Sequence, residues 1–150
     1  MATAEKRQYI PVPGSYGDVP FSNAVVTGNT AYLSGHIGFE PGSMKVPAEP
    51  EREAQLVLEG IRDTLARAGF TMQDLVSLTV YCPDVALFAT FNKVYRTFFR
   101  PPFPARAFIG SGPLLMGARF ELQGIAVKES WSLTRPFVRK SPAATCSGRR

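Results

Sequence analysis

Arg106 and Glu121 are the residues whose types and spacing best suit chemistry in this chain. They lie in two apolar segments that flank a Gly- and Pro-rich stretch at residues 110–113, a pattern that predicts strand, turn and strand. A guanidinium can grip a carboxylate through two parallel hydrogen bonds, and a Glu can hold a water as general base. For each residue alone, the ordinary interpretation as a solvated strand residue stays open.

Other common kinds of site lack their residues. The chain has one histidine, His36, and no Gly-x-Ser-x-Gly sequence to supply a serine nucleophile. Its two cysteines, Cys82 and Cys146, are far apart and show no metal-binding or disulfide spacing. The glycines at 110 and 112 are too few for a phosphate-binding loop. We therefore expect no metal site, no phosphate-binding loop and no serine triad.

The elements that must position Arg106 and Glu121 follow from periodicity. Apolar spacing predicts one helix over residues 50–68 and a second that begins at Asp84. Alternating segments predict strands in the order β-β-α-β-α-β-β, with residues 1–20 as an extended arm. Strands grouped at both ends of the chain favour an α+β fold with two helices on one face of a mixed sheet. The predicted strands cover residues 21–26, 30–34 and 75–81, and two more lie within residues 101–127.

Charge and length divide the chain in two. At 150 residues the chain is expected to form one domain, residues 1–129, whose acidic and basic residues balance. The net charge of +5 comes from residues 130–150, a basic C-terminal tail without acids that we expect to be mobile. Because the domain is neutral, nucleic acid is not an expected partner. The chain has no apolar run long enough to span a bilayer and no signal-peptide pattern, so we expect a cytoplasmic protein away from membranes.

Several short motifs occur together in residues 14–128. They are Pro104-Ala105-Arg106, then Glu121 before Ile125-Ala126-Val127, with Ser34-Gly35 and Phe91-Asn92-x-x-Tyr95 upstream. This set resembles the RidA/YjgF family of enamine/imine deaminases. The resemblance implies a chorismate-mutase-like fold with a six-stranded sheet, a homotrimer, and ligand pockets between subunits. Periodicity predicts only five strands. The sixth is therefore expected near residues 37–39, or within a segment that was interpreted as a single strand.

The resemblance also implies roles for individual residues. Arg106 would bind the substrate carboxylate and Glu121 would position the attacking water, while other residues would bind or support the substrate. The implied reaction converts a 2-imino acid or its enamine tautomer, with water, to a 2-keto acid and ammonia without a cofactor. Since an imine is already electrophilic, positioning and one proton shuttle could suffice. In the family such activity serves metabolite detoxification. The implied substrate-binding residues are Phe21, Ser34, Gly35, Asn92, Ala107 and Phe108.

Four positions depart from the family pattern. Phe21 stands where a Tyr is usual, His36 replaces a Gln, and Ala107 and Phe108 replace a hydroxyl residue and a Cys. The departures leave the substrate range open, and Phe21 predicts a preference for larger apolar imines. Two alternatives remain: a non-catalytic trimeric binding module for carboxylate metabolites, and RNA cleavage, for which only the basic tail offers charge.

Overall fold

The computed structural model describes residues 6–129. The predicted basic tail and its boundary at residue 129 lie outside or at the limit of these residues, so that prediction stays a prediction. Within them, no helix is long and apolar enough to cross a membrane. The chain forms two α-helices and a sheet of six strands: β1 Gln8–Ile10, β2 Ala24–Thr27, β3 Thr30–Ile37, α1 Pro50–Arg67, β4 Leu75–Cys82, α2 Phe88–Phe98, β5 Ala105–Gly110 and β6 Glu121–Val127.

The six strands have the spatial order β1-β2-β3-β6-β4-β5. The pair β4 and β5 is parallel and every other pair is antiparallel, so the predicted mixed sheet is confirmed. The expected place of the sixth strand was wrong. Residue 37 ends β3, and the extra strand is Gln8–Ile10, which pairs with β2 within the predicted arm. Three residues are too few for a periodic signal, and this strand forms only because β2 offers a free edge.

Both helices cover the same face of the sheet, as predicted. The apolar stripe of α1 is fully buried, and α2 adds Phe91 and Tyr95 to the same core. The sheet contributes alternate residues, among them Leu78 and Leu122, to this core. Because strand residues alternate between faces, their neighbours point to the other side. The buried stripe of α1 consists of Ala54, Val57, Leu58, Ile61 and Leu65.

The opposite face of the sheet is uncovered within the chain. Tyr9, Val25, Tyr32 and Ile125 are consecutive register partners across four strands of this face. Tyr9 and Tyr32 are well exposed, as is Ile109 on β5. An apolar sheet face of this kind indicates an association surface.

The two strands that carry Arg106 and Glu121 are not neighbours. β4 lies between β5 and β6 and pairs with both. The stretch predicted as strand, turn and strand is therefore not a hairpin, because residues 111–120 carry the chain past β4 with a short 3-10 turn at Leu115–Gly117. This topology decides where the two candidate residues can act.

Candidate functional site

Arg106 faces α2 from the edge strand β5. Its Nη2 donates a hydrogen bond of 2.7 Å to Oδ1 of Asn92, and its Cζ lies 4.5 Å from the ring centroid of Tyr95. Among residues 6–129 no carboxylate forms an ion pair with it. The guanidinium is thus oriented by an amide and a ring while its charge stays uncompensated, which suits the binding of an anion.

The hydroxyl of Tyr95, whose ring lies beside Arg106, is the second polar group in this region. This oxygen is buried and has no hydrogen-bond partner within the described part of the chain. Burial raises the pKa of Tyr95, and the charge of Arg106 lowers it in part. We call Arg106, Asn92 and Tyr95 the arginine group.

Glu121 opens β6 on the face away from α2, in register with Ile37 and Tyr81. Its carboxylate lies directly over Gly35, where a Cβ would collide with Oε1. A register irregularity in β3 between Leu33 and His36 surrounds this glycine. Within residues 6–129 the carboxylate of Glu121 accepts no hydrogen bond from any side chain, and it forms no ion pair. Its oxygens are therefore available to a water or a substrate.

Ser34 and His36 hold the irregular part of β3 in place. Ser34 Oγ donates to the carbonyl of Ser22 at 2.6 Å. His36 is buried, with Nδ1 2.7 Å from the carbonyl of Ser34 and Nε2 2.8 Å from Thr64 Oγ1, which also accepts from Asn23. Burial lowers the pKa of His36, although the contact to Ser34 opposes this in part. His36 is thus a neutral structural residue that donates from Nδ1 and accepts the Thr64 hydroxyl proton at Nε2.

A cleft of about 730 Å³ opens beside Glu121. Phe21, Ser34 and Gly35 line it together with Glu121, and the ring of Phe21 is 53% exposed. The structure therefore brings four of the residues implied by the family resemblance to one place. We call Phe21, Ser34, Gly35 and Glu121 the glutamate group.

The arginine group and the glutamate group lie apart in one chain. Arg106 is in register with Leu78 of β4, whereas Glu121 is in register with Tyr81 on the other side of that strand. The two residues are separated by three positions along the strand direction and by two strand spacings across the sheet. Their Cα atoms are therefore roughly 14 Å apart. Their side chains also point to opposite faces of the sheet. One small substrate cannot contact both residues within a single chain.

Ala107 and Phe108 follow Arg106 but take different positions. Ala107 is exposed on the uncovered face. Phe108 packs edge-on against Phe88 and Phe91 of α2, with ring centroids 5.1 and 5.7 Å apart. The ring of Phe108 therefore packs within the chain, against the same two rings of α2 that lie near Arg106.

The sequence analysis missed a buried ion pair that positions Glu121. Glu53 of α1 is fully buried; Oε1 accepts from the backbone N–H groups of Arg119 and Phe120, and Oε2 pairs with Arg119 Nη1 at 2.6 Å. Arg119 also donates to the carbonyls of Pro47 and Ala48. This clamp fixes the chain immediately before β6. The available signal was the spacing of Glu53, which puts it in phase with the apolar stripe of α1.

This chain is similar to proteins of known sequence and structure. The sequence model of one family, described as Endoribonuclease L-PSP, matches residues 16–128. The chain belongs to the RidA/YjgF family. The 2-iminobutanoate/2-iminopropanoate deaminase of Bos taurus is 38% identical over 110 residues, which are 73% of this chain and 80% of that protein. The deaminase of the same name from Homo sapiens is 35% identical over 117 residues, 77% of this chain and 84% of that one.

Solved structures of RidA/YjgF proteins share the fold. The YjgF gene product of Escherichia coli matches with a TM-score of 0.74 and 30% identity, over 81% of this chain and 99% of that one. TdcF from Escherichia coli, whose structure holds bound serine, matches with a TM-score of 0.72 and 27% identity, over 85% and 100%. Relatives named as deaminases thus share sequence with this chain, and the solved RidA/YjgF structures share its fold, although the family model is described as an endoribonuclease.

Proposed function

We propose that the protein hydrolyses 2-imino acids and their enamine tautomers to 2-keto acids and ammonia. The observation that carries the proposal is Arg106, an oriented guanidinium without an acidic partner in residues 6–129. Bidentate capture of a carboxylate uses this geometry. The deaminase names of relatives at 35–38% identity agree with the same substrate class.

The active site of this proposal is shared between subunits of a homotrimer. Since Arg106 and Glu121 lie roughly 14 Å apart on opposite faces of one sheet, the site needs the arginine group of one subunit and the glutamate group of the next. The uncovered apolar face around Tyr32 and Ile109 supplies a surface for such an assembly. Rings of identical subunits form when such heterologous contacts close on themselves.

The chemistry then needs only the residues of the chain and water. Arg106 holds the carboxylate, which fixes the adjacent imine carbon. Glu121 takes a proton from a water that attacks this carbon, so that a C–O bond forms and the C=N bond becomes single. The same carboxylic acid returns the proton to the nitrogen, which gives a carbinolamine. Glu121 then moves the hydroxyl proton to this nitrogen, so that the C=O bond forms as the C–N bond breaks and ammonia leaves. General acid–base catalysis of this kind contributes about 10²–10⁴-fold.

The test generates imines enzymatically from several amino acids and follows the release of ammonia with and without the purified protein. We expect release faster than spontaneous hydrolysis in buffer. Calorimetry with the corresponding stable 2-keto acids measures binding separately. If the keto acids bind but ammonia release is not accelerated, the protein is a binding module for carboxylate metabolites and the proposed reaction is wrong. If the reaction is accelerated, removal of reactive imines in the cytoplasm is the role we propose.

A further inference from the structure

Large apolar side chains surround the mouth of the cleft beside Glu121. Leu115 is 73% exposed, Met116 60% and Met44 42%, and all three line the cleft with Phe21 and Phe39. Large apolar residues that gather around one opening, rather than scatter singly over the surface, indicate a binding site.

The turn that carries Leu115 and Met116 is held in an unusual conformation. Met116 has φ 57° and ψ 19°, in the left-handed region, which is unfavourable for a residue with a Cβ. The facing loop is tied to this turn, because Arg119 donates to the carbonyls of Pro47 and Ala48. Backbone strain that the surrounding structure maintains is frequent where side chains must point at a ligand.

Away from Glu121, the polar groups His36, Asn23 and Arg67 that line the cleft already have partners. His36 and Asn23 both bond to Thr64, and Arg67 donates to the carbonyl of Pro11. A charged or strongly polar ligand group would find few free partners at this end of the cleft. An apolar group would instead gain contact with the exposed rings and thioethers at its mouth.

We propose that this cleft is the subsite for the side chain of the substrate, and that the preferred substrates are 2-imino acids with branched or aromatic apolar side chains. The inference rests on the proposed function, because it places the imine carbon at Glu121 and the carboxylate toward Arg106 of the neighbouring subunit. The third substituent of that carbon then enters the cleft. A volume of about 730 Å³ lies in the range that encloses whole small ligands, far beyond the need of a methyl or ethyl group.

Stable 2-keto acids test the subsite without requiring turnover. Calorimetry with pyruvate, 2-oxobutanoate, 4-methyl-2-oxopentanoate and phenylpyruvate measures binding as the side chain grows. We expect the dissociation constant to fall about fourfold for each added methylene, which corresponds to about 0.8 kcal/mol per buried methylene. The double variant Leu115→Ser/Met116→Ser should flatten this gradient and leave pyruvate affinity unchanged. Single Leu115→Ser and Met44→Ser variants should each flatten it in part.

Val85→Ser is the matched control, since Val85 is an apolar residue about as exposed as Met116 and lies on another 3-10 turn, Val85–Leu87. It should retain the full gradient. Equal affinity for all four acids in the wild type, or a gradient that the double variant leaves intact, overturns the inference. Light scattering is run in parallel, and an altered assembly with equally weakened binding of all acids would mean that a second copy of the chain covers the patch, which also overturns it. A graded keto-acid series without ammonia release would reject the deaminase reaction and retain the subsite.

Discussion

Two arginine-carboxylate regions of this protein have opposite designs. Glu53 and Arg119 form a closed unit, in which the buried carboxylate accepts from two backbone N–H groups and one guanidinium. Arg106 and Glu121 are each held in a defined position, but the charge of neither one is neutralised by the other. Residue type alone does not separate the two, since each region has one Arg and one Glu.

The difference teaches how to distinguish structural from functional charge. A buried pair with satisfied hydrogen bonds stabilises the native state only as long as both partners remain. A charge that the fold orients but does not neutralise keeps its capacity to bind a ligand. On this criterion, we assign the clamp of Glu53 and Arg119 to the fold and propose that the arginine and glutamate groups bind the substrate.

The largest effect is expected on stability when the clamp is broken. Glu53→Ala removes the carboxylate that pairs with Arg119 and leaves two backbone N–H groups without their acceptor, so the free energy of unfolding should fall by about 3–5 kcal/mol. Glu51→Ala is the control on the same helix, because Glu51 makes an exposed ion pair with Lys93 that should contribute about 1 kcal/mol or less. Denaturant unfolding measures both. Equal, small losses would show that the buried carboxylate has no special role in the fold.

Substitution of Arg106 should lower activity and leave stability nearly unchanged. Charged hydrogen bonds contribute roughly 1.5–3 kcal/mol each, so loss of the pair in Arg106→Ala should lower kcat/KM at least about a hundredfold. Arg106→Lys should retain part of the binding but lose orientation, because an ammonium lacks the planar fork. Melting temperatures should stay near the wild-type value, and Arg62→Ala, an exposed arginine on α1, should change neither quantity. An unfolded Arg106→Ala protein would assign this residue to the structure.

Gly35 allows the close approach of the Glu121 carboxylate, so a substitution at Gly35 tests the position of Glu121. In Gly35→Ala the new Cβ would collide with Oε1, the flexible end of the Glu121 side chain. Displacement by about 1 Å can cost up to about a hundredfold in rate, so activity should fall by roughly ten- to a hundredfold while the fold remains. Gly112→Ala is the control, because a Cβ at Gly112 has no atom within 4 Å. Wild-type activity in Gly35→Ala would remove Glu121 from the catalytic role.

The smallest effect concerns the pH dependence of stability. The pKa of His36 is lowered in the folded state by burial, so the unfolded chain binds the proton more readily. Stability should therefore decline as pH falls below the ordinary value of 6.5, down through the folded-state pKa. His36→Gln removes this titrating group and should flatten that part of the profile. Parallel profiles of the two proteins between pH 7 and 5 would contradict the assignment.

Much of the fold could be predicted from the sequence because it depends on local patterns. The stripe of α1 and the alternation of β6 each reflect one element packed on one core. Features that depend on distant partners were missed. β1 exists through pairing with β2. Val76 alternates with Leu78 and Val80 in the sequence and would share their buried face in a regular strand, but it is exposed because the register between Leu75 and Ser77 is irregular.

The candidate site was harder to predict than the fold. Family motifs indicated Arg106 and Glu121 as candidates, but no sequence pattern shows that β4 separates their strands. The role of Glu53 depends on Arg119, which is 66 residues away in the chain. Such long-range contacts leave no periodic signal, so they became visible only with the fold.

The central claim is that one subunit supplies Arg106 and its neighbour supplies Glu121, and mixed assemblies test it most directly. Arg106→Ala and Glu121→Gln chains are co-expressed with different tags, and assemblies that carry both tags are isolated. In a cyclic trimer every mixed assembly contains one complete site, so about one third of wild-type imine hydrolysis should return. Each parent variant, and each mixed with the double variant Arg106→Ala/Glu121→Gln, should remain inactive. Mixed trimers without activity, despite an active wild type, would contradict the shared site.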